Sequence, residues 1–247
     1  MAATNTASKG KDLTKKNKLW KVTPLRIAVG VILLIIGLFV WWFFGGGITM
    51  SNQREMEAYL ESKYNKDFVV ERPQWKGSGI GVRGTLSADA YPSDDKSIRF
   101  IVSQGSSDTW DSYPSTVWET EERPKVKAKL ATIFPETQDF DLDMGARELE
   151  MTMKGPVPEF EDFSKDHKED IVYVLRINTP TLSQEQVENY APAFVNYLAQ
   201  KNAQVTLGIY FNDKGIVMQP SEVTEFAANP GSLNQYIKSL PASMRRE

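Results

Sequence analysis

Between Ile27 and Phe44 the chain reads IAVGVILLIIGLFVWWFF, eighteen residues without a single charge. Coiled as a helix at about 1.5 Å per residue, the run is roughly 27 Å long, close to the thickness of a bilayer's hydrocarbon core. Trp20 stands before it, and Trp41, Trp42, Phe43 and Phe44 close it. Such aromatic residues favour the boundary between headgroups and acyl chains. A transmembrane helix is therefore expected over residues 25–44, with the glycines at 45–47 ending it and opening a flexible linker over 45–50.

The flanks give this helix a direction. Lys9, Lys11, Lys15, Lys16, Lys18, Lys21 and Arg26 precede the run, against Asp12 alone. Segments rich in lysine and arginine remain cytoplasmic, which predicts a cytoplasmic N-terminus and an extracytoplasmic body in the cell membrane. A cleaved secretory signal is the competing reading, although its apolar core would be shorter, about 7 to 15 residues. Residues 1–24 lack any apolar period and are expected to be a disordered basic head. That head either meets anionic lipid headgroups or serves only to set topology.

The head carries a net charge of +6, so a whole-chain charge of −3 leaves −9 on the remainder. Nucleic acid is excluded as a partner, because such binding starts from neutralising phosphates. The lipid bilayer and another envelope protein are the partners expected. The chain has no cysteine, which rules out a disulfide framework, a thiol nucleophile and cysteine-type zinc sites.

The 203 residues after the run can bury a substantial core. Their periodicity predicts an α+β fold, mainly antiparallel sheet with packed helices, as two related halves over 51–155 and 156–247. Ser51 is placed to cap a helix reaching about Asn65, with Met56, Leu60 and Tyr64 on one face. Short strands follow at Phe68–Val70, around Ile80 to Leu86 and around Ile98 to Val102. Residues 103–118 read as a loop by composition, ending with Pro114 and Ser115 at a helix start, and a helix is expected from about Pro124 to Phe134. Strands are expected at Phe140–Met144 and Leu149–Met153, joined at Gly145. Residues 156–170 form a charged connection with room for one helical turn. The clearest unit comes last: a strand at Ile171–Ile177, apolar enough to be covered on both faces, then a helix capped by Ser183 and Gln186. A strand through Val205 to Phe211, a four-residue turn Asn212–Gly215, a return strand and a terminal helix over Leu233–Leu240 complete the chain.

The run YLESKYNKDFVV, with the later SIRFIV, resembles the ectodomains of poorly characterised lipoproteins and single-pass membrane proteins of Gram-positive bacteria. The resemblance spans about a quarter of the chain. It implies an envelope location and a small α+β ectodomain, and no activity.

Nothing in the sequence assembles a catalytic constellation. His167, the sole histidine, sits in the charge run SKDHKED, where no packed neighbours would hold a general base. Nucleotide-binding, G-x-S-x-G and H-E-x-x-H motifs are absent, and no cofactor is expected. In DFDLDMGARELE, Asp139, Asp141, Asp143 and Glu150 occupy positions 1, 3, 5 and 12 of a calcium loop, but position 6 is Met144 where the turn requires glycine. The competing reading is a strand with an acidic face. Trp110, Tyr113 and Trp118 either form an aromatic binding surface or cover one side of the sheet. The functional expectation is a non-enzymatic protein-binding or scaffold component of the envelope. The alternatives are a ligand- or cation-binding sensor and an accessory subunit of a secretion or conjugation complex.

Overall fold

The computed structural model describes residues 24–45, 47–77, 84–106, 108–135, 137, 139–231 and 233–239. They fall into two compact units, one ending at Ile48 and one beginning at Thr49. The first contains α1 (Pro24–Gly45), 22 residues long. Every large apolar side chain from Ile27 to Val40 in this helix is 47–63% exposed. Among the described residues no helix is long and apolar enough to cross a membrane. The next helix, α2 (Gly47–Tyr64), starts four residues ahead of Ser51, so residues 47–50 are helix where a glycine linker was expected.

The second unit is α+β, as its periodicity implies. Its first sheet comprises β1 (Phe68–Val70), β2 (Gln74–Lys76), β3 (Thr85–Pro92), β4 (Phe100–Gln104) and β5 (Thr109–Asp111), all antiparallel. The order is β1-β3-β4-β5, with β2 also paired to β3. Met56, Leu60 and Tyr64 recur at helical spacing on α2 and pack against Phe68, Val70, Leu86, Ala88, Phe100 and Val102. Tyr113 completes a knot of rings, 5.0 Å from both Phe68 and Phe100 and 4.8 Å from Tyr64 between centroids. The glycine-rich positions 78–83, expected to belong to a strand, lie outside the described residues.

The helix α3 (Tyr113–Ile133) starts beside the expected Pro114–Ser115 position and runs unbroken through Pro124, where a separate start was expected. A proline inside a helix loses one hydrogen bond and costs about 3 kcal/mol. The helix persists because Trp118, Val126 and Leu130 lie one above another and are buried. Trp118 also donates its indole N–H to the Pro158 carbonyl at 2.9 Å and stacks on Phe163 at 4.8 Å. The fourth member of that stripe is Glu122, fully buried, whose charge disguises the apolar period in the sequence.

The second sheet has the order β10-β9-β8-β7-β6. Its strands are β6 (Asp139–Gly145), β7 (Val172–Asn178), β8 (Gln204–Phe211), β9 (Lys214–Met218) and β10 (Ile237–Ser239). Between β6 and β7 lie α4 (Arg147–Thr152) and α5 (Phe160–Asp166). The helix α6 (Gln184–Ala199) links β7 to β8, which pair in parallel; all other pairs are antiparallel. The Ser183–Gln186 capping box is formed, and Val187, Phe194, Val195 and Leu198 face the core as their spacing requires. The two sheets thus differ in topology, the first wholly antiparallel and the second built around a crossover.

Three local expectations are corrected. Residues 147–152 are helix rather than strand, since α4 closes with the Glu150 side chain accepting the Ala146 N–H at 2.7 Å. The turn after β8 is two residues, with Asn212 in the left-handed region at φ 51°. The terminal helix is instead a short 3-10 turn, Leu233–Tyr236, followed by β10. An unforeseen helix, α7 (Pro220–Ala228), buries Val223 and Phe226, and starts with proline in its first turn and a Gln219–Glu222 capping box. Trp118→Ala is expected to destabilise the chain by about 3–5 kcal/mol in urea unfolding, and Trp110→Ala by far less.

Candidate functional site

The densest ionisable group lies where the first sheet meets α3. Asp111, the last residue of β5, is buried, and its Oδ2 accepts Lys63 Nζ at 2.7 Å and the Tyr59 hydroxyl at 3.2 Å. Its Oδ1 accepts the Tyr64 hydroxyl at 2.7 Å and the Tyr113 N–H at 3.0 Å. Burial first, and then the charge of Asp111, pushes both phenols above their ordinary range. Nearby, Ser115 donates to Glu150 Oε1. Burial raises Glu150 above the usual carboxylate range, against the hydrogen bonds from Ser115 and Ala146 that lower it. Lys63, Asp111, Ser115 and Glu150 are each at most 7% exposed, and neither groove described below is lined by any of them. A substrate cannot reach groups sealed in this way, and the cluster joins α2, β5, α3 and α4.

A second buried carboxylate, Glu122, has Oε2 at 2.7 Å from Lys201 Nζ and Oε1 at 3.0 Å from Lys125 Nζ. The latter contact is an ion pair without hydrogen-bond alignment. Beside it the hydroxyl of Tyr173 is buried without a partner, raised first by burial and then by the Glu122 charge. Two grooves open nearby. One, of about 260 Å³, lies among Glu121, Lys125, Glu159, Phe160 and Glu161. The other, of about 470 Å³, runs between the end of α6 and the start of α7, past Lys168, Glu169, Lys201 and Glu225. Both mix charges of either sign, with no side chain set apart for one ligand.

The residues singled out in the sequence are dispersed. Asp139, Asp141 and Asp143 project from one exposed face of β6, while Glu150 is buried on α4. A calcium loop curls its carboxylates about one centre; an extended strand sets alternate residues in a row. Among the described residues no three His, Asp or Glu side chains are grouped to hold a metal. Trp118 and Tyr113 are core residues and Trp110 is half-buried, so the three do not form a surface. His167 packs against the Phe163 ring, tilted by 33° with 4.4 Å between ring centroids, and Asp170 is 3.8 Å away. Lys63, Ser115 and Glu122 were not singled out; each is a polar residue at helical spacing with apolar ones, and only its buried partner reveals the role.

One side of the second sheet is left partly exposed, its outward residues alternating with those of the core. Register places Asp141 beside Arg176, Gly208 and Val217, and Asp143 beside Val174 and Thr206. Val172 is 50% exposed on this face, so β7 is not covered on both sides as its apolar run suggests. Tyr210 folds back over Gly208, its hydroxyl 2.9 Å from where a Cβ would stand. The outer edge of β6 is closed by α3: Glu119 accepts the Met144 N–H at 3.1 Å, and Arg123 reaches the Leu142 carbonyl at 3.5 Å.

No family model matches the chain, and no curated protein matches it. Among solved structures it is similar to a DUF5037 family protein from Ruminococcus gnavus, at 12% identity and a TM-score of 0.36 over 64% of this chain and 74% of that one. A likeness at that level carries no argument about function.

Two outcomes follow from the buried clusters. Asp111→Ala leaves Lys63 buried without its counter-charge, and is expected to lower unfolding free energy by about 3–5 kcal/mol. Glu150, raised by burial, contributes stability that is full below the unfolded carboxylate pKa and is lost as pH rises through its folded pKa. Thermal melts from pH 7 towards pH 5 should therefore rise more steeply for the unaltered chain than for Glu150→Gln.

Proposed function

We propose that the chain is a single-pass protein of the bacterial cell envelope, with a cytoplasmic basic head and an extracytoplasmic α+β body that binds another envelope protein without catalysis. The observation that carries the reading is α1. Eleven large apolar side chains from Ile27 to Val40 stand about half exposed or more. Leaving such side chains in water forgoes about 1.5–3 kcal/mol each. Lipid removes that penalty, and the charge-free sequence continues to Phe44, long enough to span. The seven basic residues before Ile27 support the orientation.

The open face of the second sheet is the surface we assign to the partner. Tyr210, Arg176 and exposed Val172 supply the aromatic, guanidinium and apolar contacts common at protein interfaces. The row Asp139, Asp141 and Asp143 would meet basic groups on the partner. The sensor reading is less well supported, because its four carboxylates are separated.

The chain is expected to stay with membranes through alkaline extraction. A membrane-impermeant maleimide should label Ser93→Cys and spare Ser8→Cys in intact cells; the reverse pattern would invert the orientation. In pull-downs from solubilised membranes, Arg176→Glu and Val172→Asp should each deplete a stoichiometric partner without lowering the melting temperature. Retention of that partner by both variants would move the binding surface elsewhere.

A further inference from the structure

Within the body, the two most exposed large apolar side chains among the described residues are Met50 and Trp75, at 65% and 59%. They lie at one end of the same helix–sheet layer. Trp75 pairs with Leu86, and Leu86 with Gln104, so the three side chains share one face of the sheet. That face is the one α2 covers, since Leu86 belongs to the same core as Met56 and Leu60. Gln104 donates to Glu55 at 3.3 Å, which sets this row beneath the first turns of α2. Gln53 fixes those turns by donating to the Val70 carbonyl at 2.6 Å. Trp75 therefore stands on the core side of the sheet, at the end of α2 that carries Met50, yet remains mostly uncovered.

Chain connectivity limits what can cover it. Met50 follows Gly45, the last residue of α1, by five positions, so the two lie no more than about 18 Å apart. The cationic side chains of Arg54 and Lys76 are exposed at the same end. An indole with an apolar neighbour and flanking cations matches the chemistry of the headgroup zone, which offers an apolar floor, anionic phosphates and water. We infer that Met50 and Trp75 rest in the headgroup layer of the extracytoplasmic leaflet, so that the body is held against the membrane at this end as well as tethered by α1. This rests on the reading of α1 as a membrane span.

The absence of cysteine permits single-site labelling of the full chain in phosphatidylcholine–phosphatidylglycerol vesicles. A fluorophore on Lys76→Cys should be quenched by lipids carrying a quencher at headgroup level, and one on Leu34→Cys by a quencher deep in the acyl chains. A fluorophore on Ser93→Cys, beyond the opposite end of β3, should be quenched by neither. Adding Trp75→Ala to Lys76→Cys should bring its quenching down to the Ser93→Cys level. Deep quenching of Leu34→Cys with no quenching of Lys76→Cys, or quenching indifferent to Trp75→Ala, would overturn the headgroup contact while leaving the anchor in place. Absence of quenching at Leu34→Cys would overturn the anchor itself.

Discussion

Asp111 has no access to water, and its two oxygens receive an ammonium, two phenols and a backbone N–H. A buried carboxylate is tolerated only when its desolvation is offset by such a shell. The donors come from α2 and from the first turn of α3, so one residue at the end of β5 fixes where both helices stand. Lys63 extends the linkage, its carbonyl accepting the Gly155 N–H at 2.7 Å. Through Ser115 and Glu150 the same region holds the start of α4 and hence the end of β6. The two apolar cores divide at this point: Tyr113 belongs to the first and Trp118 to the second.

Elements whose side chains obey one period were legible. β6 alternates, β8 does so apart from Gly208, and α6 announces its start with Ser183 and Gln186. Elements that mix signals were not. α3 was obscured twice, by Pro124 and by Glu122 in its apolar stripe, because a buried ion pair reads as surface until its partner Lys201, far along the chain, is brought beside it. The segment Glu148–Met153 alternates like a strand; capping at Ala146 makes it a helix. Long-range partners and capping geometry, rather than composition, decided each of these cases.

The candidate sites divide along the same line. The carboxylates spaced like a calcium loop have that spacing only if the backbone curls, and pairing with β7 keeps it extended. The aromatic group failed because Tyr113 and Trp118 lie in one helix, where residues five apart point in different directions and here enter different cores. Arg176 and Tyr210, by contrast, drew no notice in the sequence, since neighbouring strands bring them together only through the parallel register of β7 with β8.

Glu119 and Arg123 each take one outward backbone group of β6, the Met144 N–H and the Leu142 carbonyl. A visiting strand therefore meets α3 side chains already bonded to that flank, and full pairing there requires them to be displaced. For the proposed partner, recognition at the aspartate row would work through side chains, because the three carboxylates face outward from the sheet. Contacts of that kind depend on the identity of each residue, weaken as salt is added, and discriminate among related partners better than a shared strand would. The same helix that completes the core thus also borders this flank.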